Sequence, residues 1–257
     1  EGLSGVHGIA LADDLGRAYI SNGRAGTVTV IELPSLKKIA EWKASGEGPD
    51  AILYDRPSGR VFTFNGRGRN ITAFDAKSGE VVATIAVDAK PEFAVSRGNG
   101  IVYVNLEDRN EIAEIDAKAA KVVRRWSIAP CESPSGLAFD AKHARLFSVC
   151  DNKTMAVSDA DAGKVVATVP IGDGPDGAAF DPAKNLAFSS NGRSGTLTVV
   201  EEVSPDKYRV VQTLDTARGA RTIVLDERNH HLYMPTAKVG EGRKVEPGTF
   251  EVVDVGP

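Results

Sequence analysis

The chain has 257 residues, of which 42% are hydrophobic and 26% charged, with a formal net charge of −4. This is the balance of a globular protein with enough apolar residues for a sizeable core, and it argues against a disordered or collagen-like chain. No apolar run approaches the roughly 20 residues that cross a bilayer as a helix. A pI near 5.7 gives no global attraction to nucleic acid or anionic lipid. Two cysteines are too few for a disulfide scaffold.

The first predicted strand opens at His7 in "HGIALA" and turns through "DDLG" into a second strand with an aromatic residue, Tyr19. A Gly/Asn turn leads to the alternating Thr27-Val28-Thr29-Val30, and "LKKIAEW" supplies a fourth strand. The phrase then repeats. A second unit opens at Asp50, passes "DRPSGR" and Phe62, and ends in "GEVVATIAV". A third opens at Glu92, passes Tyr103 and ends in "KVVRRWSI". A fourth opens at Ser135, passes Phe147 and ends in "GKVVATVPI". A fifth opens at Asp176, passes "DPAKN" and Phe188 and ends in "YRVVQTL". A sixth opens at Arg221, passes Tyr233 and stops after "TFEVVDV".

Starts at positions 7, 50, 92, 135, 176 and 221 recur every 41 to 45 residues. Four short strands per unit of that length is the size of a propeller blade. One blade cannot bury both faces, whereas blades stacked around an axis can. No segment carries a helical apolar period. The expectation is a single all-β domain over 1–257, a β-propeller of four-stranded antiparallel blades with six repeats. The aromatic series from Tyr19 to Tyr233 then reads as blade-to-blade core.

"GDGPDG" (Gly172 to Gly177) matches the dinucleotide fingerprint G-x-G-x-x-G. That motif needs a helix N-terminus after the glycines to hold a pyrophosphate. Here Pro175 and a short strand follow, and "GEGPDAI" stands at the same place in another repeat. The match is therefore a turn between units.

The phrases "GRAYISNGRAGTVTVIEL", "GIVYVNLEDRNEIAEIDA" and "GKVVATVPIGDGPDGAAFDP" resemble the YVTN-repeat β-propeller family, which includes the extracytoplasmic YncE-like bacterial proteins. The resemblance covers essentially the whole chain. It implies a seven-bladed parent and export to the periplasm or beyond; some members are reported to bind DNA. The last unit has a third strand and no fourth, so two arrangements stay open. Either six repeats of a seven-bladed parent stand here, or six blades close with a three-stranded last blade.

The chemistry-bearing motifs are few. There is no G-x-x-x-x-G-K-[ST], H-E-x-x-H, C-x-x-C or G-x-S-x-G. "DADAG" (Asp159 to Gly163) hints at a calcium loop but lacks the spacing to a bidentate Glu and reads as a turn. His230 and His231 point to opposite faces if they lie in a strand. Arg24, Arg67, Arg109, Lys153, Arg193 and Lys238 fall at nearly equivalent positions after the second strands. They could ring one face, or be ordinary solvated turn residues. Cys131 precedes the fourth unit's first strand and Cys150 ends its second, so adjacent antiparallel strands bring the two together. A disulfide is expected, against two buried free thiols or a metal-binding pair.

The residues that open the first strands carry the functional expectation. His7, Asp50, Glu92, Ser135, Asp176 and Arg221 are equivalent in the repeat yet chemically unlike. First strands are innermost in a propeller, so these residues are expected to rim the channel mouth. A purely structural role would favour one recurring turn residue. His7, Asp50, Glu92, Asp176 and Arg221, with neutral oxygens from Asn65 and Asn105, are the expected ligand-binding set. His7, Asp50, Glu92 and Asp176 could hold a divalent metal ion, the one cofactor the sequence suggests. No catalytic residue is assigned. The expected function is an extracytoplasmic binding or scaffold propeller, periplasmic or secreted by resemblance, whose partner is a small polar molecule or an envelope protein. The alternatives are a metal-dependent, lactonase-like hydrolase using the carboxylate/His set, and a single-stranded nucleic-acid binder, which the acidic pI disfavours.

Overall fold

The computed structural model describes residues 3–240 and 244–257, so the first two residues of "EGLSGVHG" lie outside it. The chain forms two compact units, residues 1–126 and 127–257. Among the described residues there is no α-helix, and no helix long and apolar enough to cross a membrane.

The first unit holds three antiparallel meanders. The first is β1 (Val6–Ala12), β2 (Arg17–Asn22), β3 (Thr27–Glu32) and β4 (Lys38–Lys43). The second is β5 (Pro49–Asp55), β6 (Arg60–Asn65), β7 (Asn70–Asp75) and β8 (Val81–Ala86). The third is β9 (Pro91–Ser96), β10 (Ile101–Leu106), β11 (Glu111–Asp116) and β12 (Lys121–Ser127). The second unit continues the series with β13 (Pro134–Asp140), β14 (Arg145–Cys150), β15 (Thr154–Asp159) and β16 (Lys164–Pro170). Then come β17 (Pro175–Asp181), β18 (Leu186–Asn191), β19 (Thr196–Ser204) and β20 (Lys207–Asp215). The last sheet has three strands, β21 (Val224–Asp226), β22 (His231–Thr236) and β23 (Glu251–Val255).

Burial follows strand position within each sheet. The second strands of the first five sheets are almost wholly buried, as in "RLFSVC" of β14, because neighbouring sheets cover both faces. The fourth strands alternate and keep charges outward; in β4 only Trp42 is buried. The aromatic step is core: Tyr19, Phe62, Tyr103, Phe147 and Phe188 are buried, and Tyr233 is half-buried. Phe147 stacks on Phe180 of the next sheet at 5.1 Å between ring centroids. In the first unit Phe62, Phe64, Val102 and Val104 share one core cluster, and Tyr19, Trp42 and Phe74 another.

Four of the six hairpins between first and second strands share one device. Asp55, Asp140, Asp181 and Asp226 end their strands and accept backbone N–H bonds two or three residues on. The left-handed residue that closes each turn is Gly59, Ala144, Asn185 or His230. The same chemistry accounts for "DADAG": Asp159 Oδ1 accepts from the N–H groups of Asp161 and Ala162 at 2.9 and 2.8 Å.

Candidate functional site

Within each unit the first strands of successive sheets lie against one another: β1 against β5 and β5 against β9, then β13 against β17 and β17 against β21. Near its start, each of β1, β5, β9, β13 and β17 carries one residue more than its partner strand. Val6 to Ile9 opposes Asn22 to Ile20, Pro49 to Ile52 opposes Asn65 to Thr63, and Pro91 to Ala94 opposes Leu106 to Val104. Pro134 to Leu137 opposes Cys150 to Ser148, and Pro175 to Gly177 opposes Asn191 to Ser190. His7, Asp50, Glu92, Ser135 and Asp176 all sit in these bulges. Proline, which has no N–H to donate, opens four of the five strands. A bulge frees a residue from the ladder and re-aims its side chain. Arg221 is the exception, because β21 begins three residues later at Val224 rather than at Arg221.

In the first unit, His7 Nδ1 lies 2.9 Å from Asp50 Oδ1, with both side chains partly exposed. Lys90 Nζ lies 2.8 Å from Glu92 Oε1 and also pairs with Glu107. Burial pushes the Glu92 carboxyl up to about 7; Lys90 opposes the rise, and Asp50 and Glu107 add to it. Burial works against the charge on Lys90, but its bonds to Glu107 and Glu92 outweigh that and hold its pKa above the ordinary value.

In the second unit, Ser135 Oγ donates to Asp176 Oδ1 at 3.0 Å, and Arg221 Nε lies 3.5 Å from Asp176 Oδ2. Glycine makes this approach possible. A Cβ on Gly136 would stand 2.7 Å from both Asp176 O and Ala178 N, and one on Gly177 would stand 2.9 Å from Arg221 O. The glycines of "GDGPDG" are thus explained without a nucleotide: Gly174 has φ +66° and Gly177 admits the segment that leads into β21.

Other expected members are occupied elsewhere. Asn65 is fully buried; its amide donates to Asn70 Oδ1 and Thr72 Oγ1 at 2.8 and 2.9 Å, and its Oδ1 accepts from Thr63 at 3.1 Å. Asn22 and Asn191 make the same bonds to the Thr residues of their third strands. Asn65 is therefore a cross-strand tie and does not lend an oxygen to the rim. Asn105 is buried in β10, one step earlier in its strand than Asn65 is in β6. Cys150 occupies the position of Asn22, Asn65 and Asn191 and forms a disulfide with Cys131, Cα–Cα 5.6 Å. A Cβ at Gly46 would meet Asn65, and one at Gly172 would meet Asn191. The disulfide bridges the corresponding place in the fourth sheet.

Three of the six expected cations have partners. Arg193 binds Asp151 and Asp173, Lys153 lies 3.9 Å from Asp173, and Arg67 donates to Gly23 O at 3.0 Å. His230 and His231 meet different carboxylates, Asp181 at 2.8 Å and Asp254 at 2.6 Å.

Among the described residues, one group of three His, Cys, Asp or Glu side chains gathers its ligand atoms within 4.8 Å: Asp140, His143 and Glu202. His7, Asp50 and Glu92 do not form such a group, and Asp176 stands in the second unit with Ser135 and Arg221. His143 Nδ1 lies 2.8 Å from Asp140 Oδ2 and 3.0 Å from Glu202 Oε1. Burial raises the pKa of Glu202, and the Asp140 charge raises it further. A sequence signal existed: the residue after the acid that pairs with the start of the second strand is Leu33 in the first sheet and Ala76, Ala117 and Ala160 in the next three, but Glu202 in the fifth.

No family model and no curated protein matches the chain. Among solved structures, a chain of Kuenenia stuttgartiensis hydrazine synthase is similar at 15% identity and a TM-score of 0.67, over 99% of this chain and 97% of that one. That neighbour is a β-propeller, and the likeness shows the fold: this chain is an all-β propeller of antiparallel sheets.

Proposed function

We propose that this propeller is a non-enzymatic binding or scaffold protein of the bacterial cell envelope, related to the YVTN-repeat, YncE-like proteins. Its ligand is a small polar molecule carrying both charge signs, taken at the starts of the first strands. The carrying observation is the series of bulges: repeat-equivalent positions, each freed from its ladder, hold an imidazole, two acids of the first unit, and a hydroxyl and an acid of the second. First strands line the channel of a propeller. Within each unit acid and base alternate at or beside those strand starts, as His7–Asp50 and Lys90–Glu92 in the first and Asp176–Arg221 in the second. Such pairs offer a zwitterion both partners at once. The repeat phrases and the Cys131–Cys150 disulfide support an extracytoplasmic setting.

A second reading, a hydrolase, draws on one observation: a Glu92 carboxyl near 7 can exchange protons at neutral pH. The nucleic-acid reading loses support from the carboxylates that already hold Arg193 and Lys153.

The test is a thermal-shift panel of free amino acids, short dicarboxylates and polyamines, on the parent and on Asp50→Ala/Glu92→Ala. Amino acids are expected to stabilise the parent and not the variant. No stabilisation by any class, or equal stabilisation of both proteins, overturns the proposal.

A further inference from the structure

A buried acid stands where three of the other sheets place alanine. Ala76, Ala117 and Ala160 are fully buried, and Glu202 at the same position is 7% exposed. Removing a carboxylate from water is costly unless something answers its charge. The neighbours do not answer it fully. Glu202 Oε1 has His143 at 3.0 Å and the Tyr208 hydroxyl at 3.5 Å, while Oε2 meets no donor. His143 Nδ1 is within reach of two carboxylate oxygens and makes a hydrogen bond to neither. Arg145, the nearest strong cation, is held by Asp159 at 3.2 Å and Asp206 at 2.9 Å. The cluster sets two carboxyl groups, one with an orphaned oxygen, beside a single imidazole.

We propose that Asp140, His143 and Glu202 form a binding site for a divalent transition-metal ion, with Zn²⁺ the natural occupant of one imidazole and two carboxylates. One nitrogen and two oxygens, already gathered within 4.8 Å, need only contract around an ion to reach the roughly 2.0–2.2 Å of zinc ligation. The His143 side chain is 24% exposed and the two acids 2%, so the site opens to solvent on the imidazole side. Three protein ligands leave a fourth position for water. Asp140 ends β13 and Ser135 sits in the bulge near its start, so the ion would sit at the opposite end of that strand from the bulge residues. The site is independent of the small-molecule reading.

The experiment is a Zn²⁺ titration of chelator-stripped full chain by calorimetry, repeated with Glu202→Gln and with His231→Ala, whose ring pairs with Asp254 instead. Parent and His231→Ala are expected to take up one equivalent, and Glu202→Gln to lose at least tenfold in affinity. Co²⁺ added to the parent alone reads the site without any variant, through visible bands of a low-coordinate nitrogen/oxygen site. No saturable equivalent in the parent, undiminished uptake by Glu202→Gln, or only the octahedral Co²⁺ spectrum would each overturn the site.

Discussion

Glu92 shows how a single residue is tuned. Its side chain is 16% exposed, and burial carries its carboxyl from an ordinary 4.5 to about 7 despite the Lys90 partner. Between those two values the folded state holds a proton that the unfolded chain has lost, so stability falls as pH rises through that window. Glutamine does not titrate. Glu92→Gln should therefore gain stability relative to the parent between pH 5 and pH 8, by roughly 1–3 kcal/mol. Urea denaturation at both pH values measures it, and a difference that does not move with pH contradicts the assignment. The unlike residues at the strand starts were legible in the sequence, because alignment of the repeats alone exposes them. The job of Asn65 was not. Position along the strand suggested a free oxygen at its end, whereas Asn70 and Thr72 of β7 accept from the amide and Thr63 of the same strand donates to the oxygen.

At the scale of the element, close approach of first strands depends on missing Cβ atoms. Gly136→Ala sets a methyl 2.7 Å from backbone atoms of β17, where no flexible side chain can yield. A cost of about 1–3 kcal/mol is expected from such overpacking, together with loss of the Ser135–Asp176 hydrogen bond. Thermal unfolding measures the first, and an unchanged melting temperature would mean that the two strands stand farther apart. The fourth sheet carries its own staple. Cys131 and Cys150 are 19 residues apart in sequence, a loop worth roughly 3 kcal/mol in the chain-entropy account. Reduction, or the Cys131→Ser/Cys150→Ser variant, should lower unfolding stability by about that amount. Two thiols titrating in the unfolded, unreduced protein would show that the bridge is absent. Strand order and this pairing were readable because the repeat fixes which segments are neighbours. Bulges were not readable, since one extra residue in a strand leaves the apolar alternation on either side intact.

For the molecule as a whole, the period of 41 to 45 residues announced the architecture, and the solved hydrazine synthase chain shares it at 15% identity. Repetition also concealed something. Glu202 reads as one more surface acid in "VEEVSP" until the structure sets it inside, against a histidine from the neighbouring sheet. Regular blades conserve burial position rather than residue type, so a departure from the repeat is where chemistry is most visible. The bulged strand starts follow the same logic on a larger scale, and the account rests on them as the binding surface. Its most direct measurement is amino-acid binding by calorimetry to the parent and to Asp50→Ala/Glu92→Ala, with far-UV circular dichroism showing that both are folded. The account predicts saturable binding by the parent and none by the folded variant. Equal binding by both, or none by the parent, would contradict it.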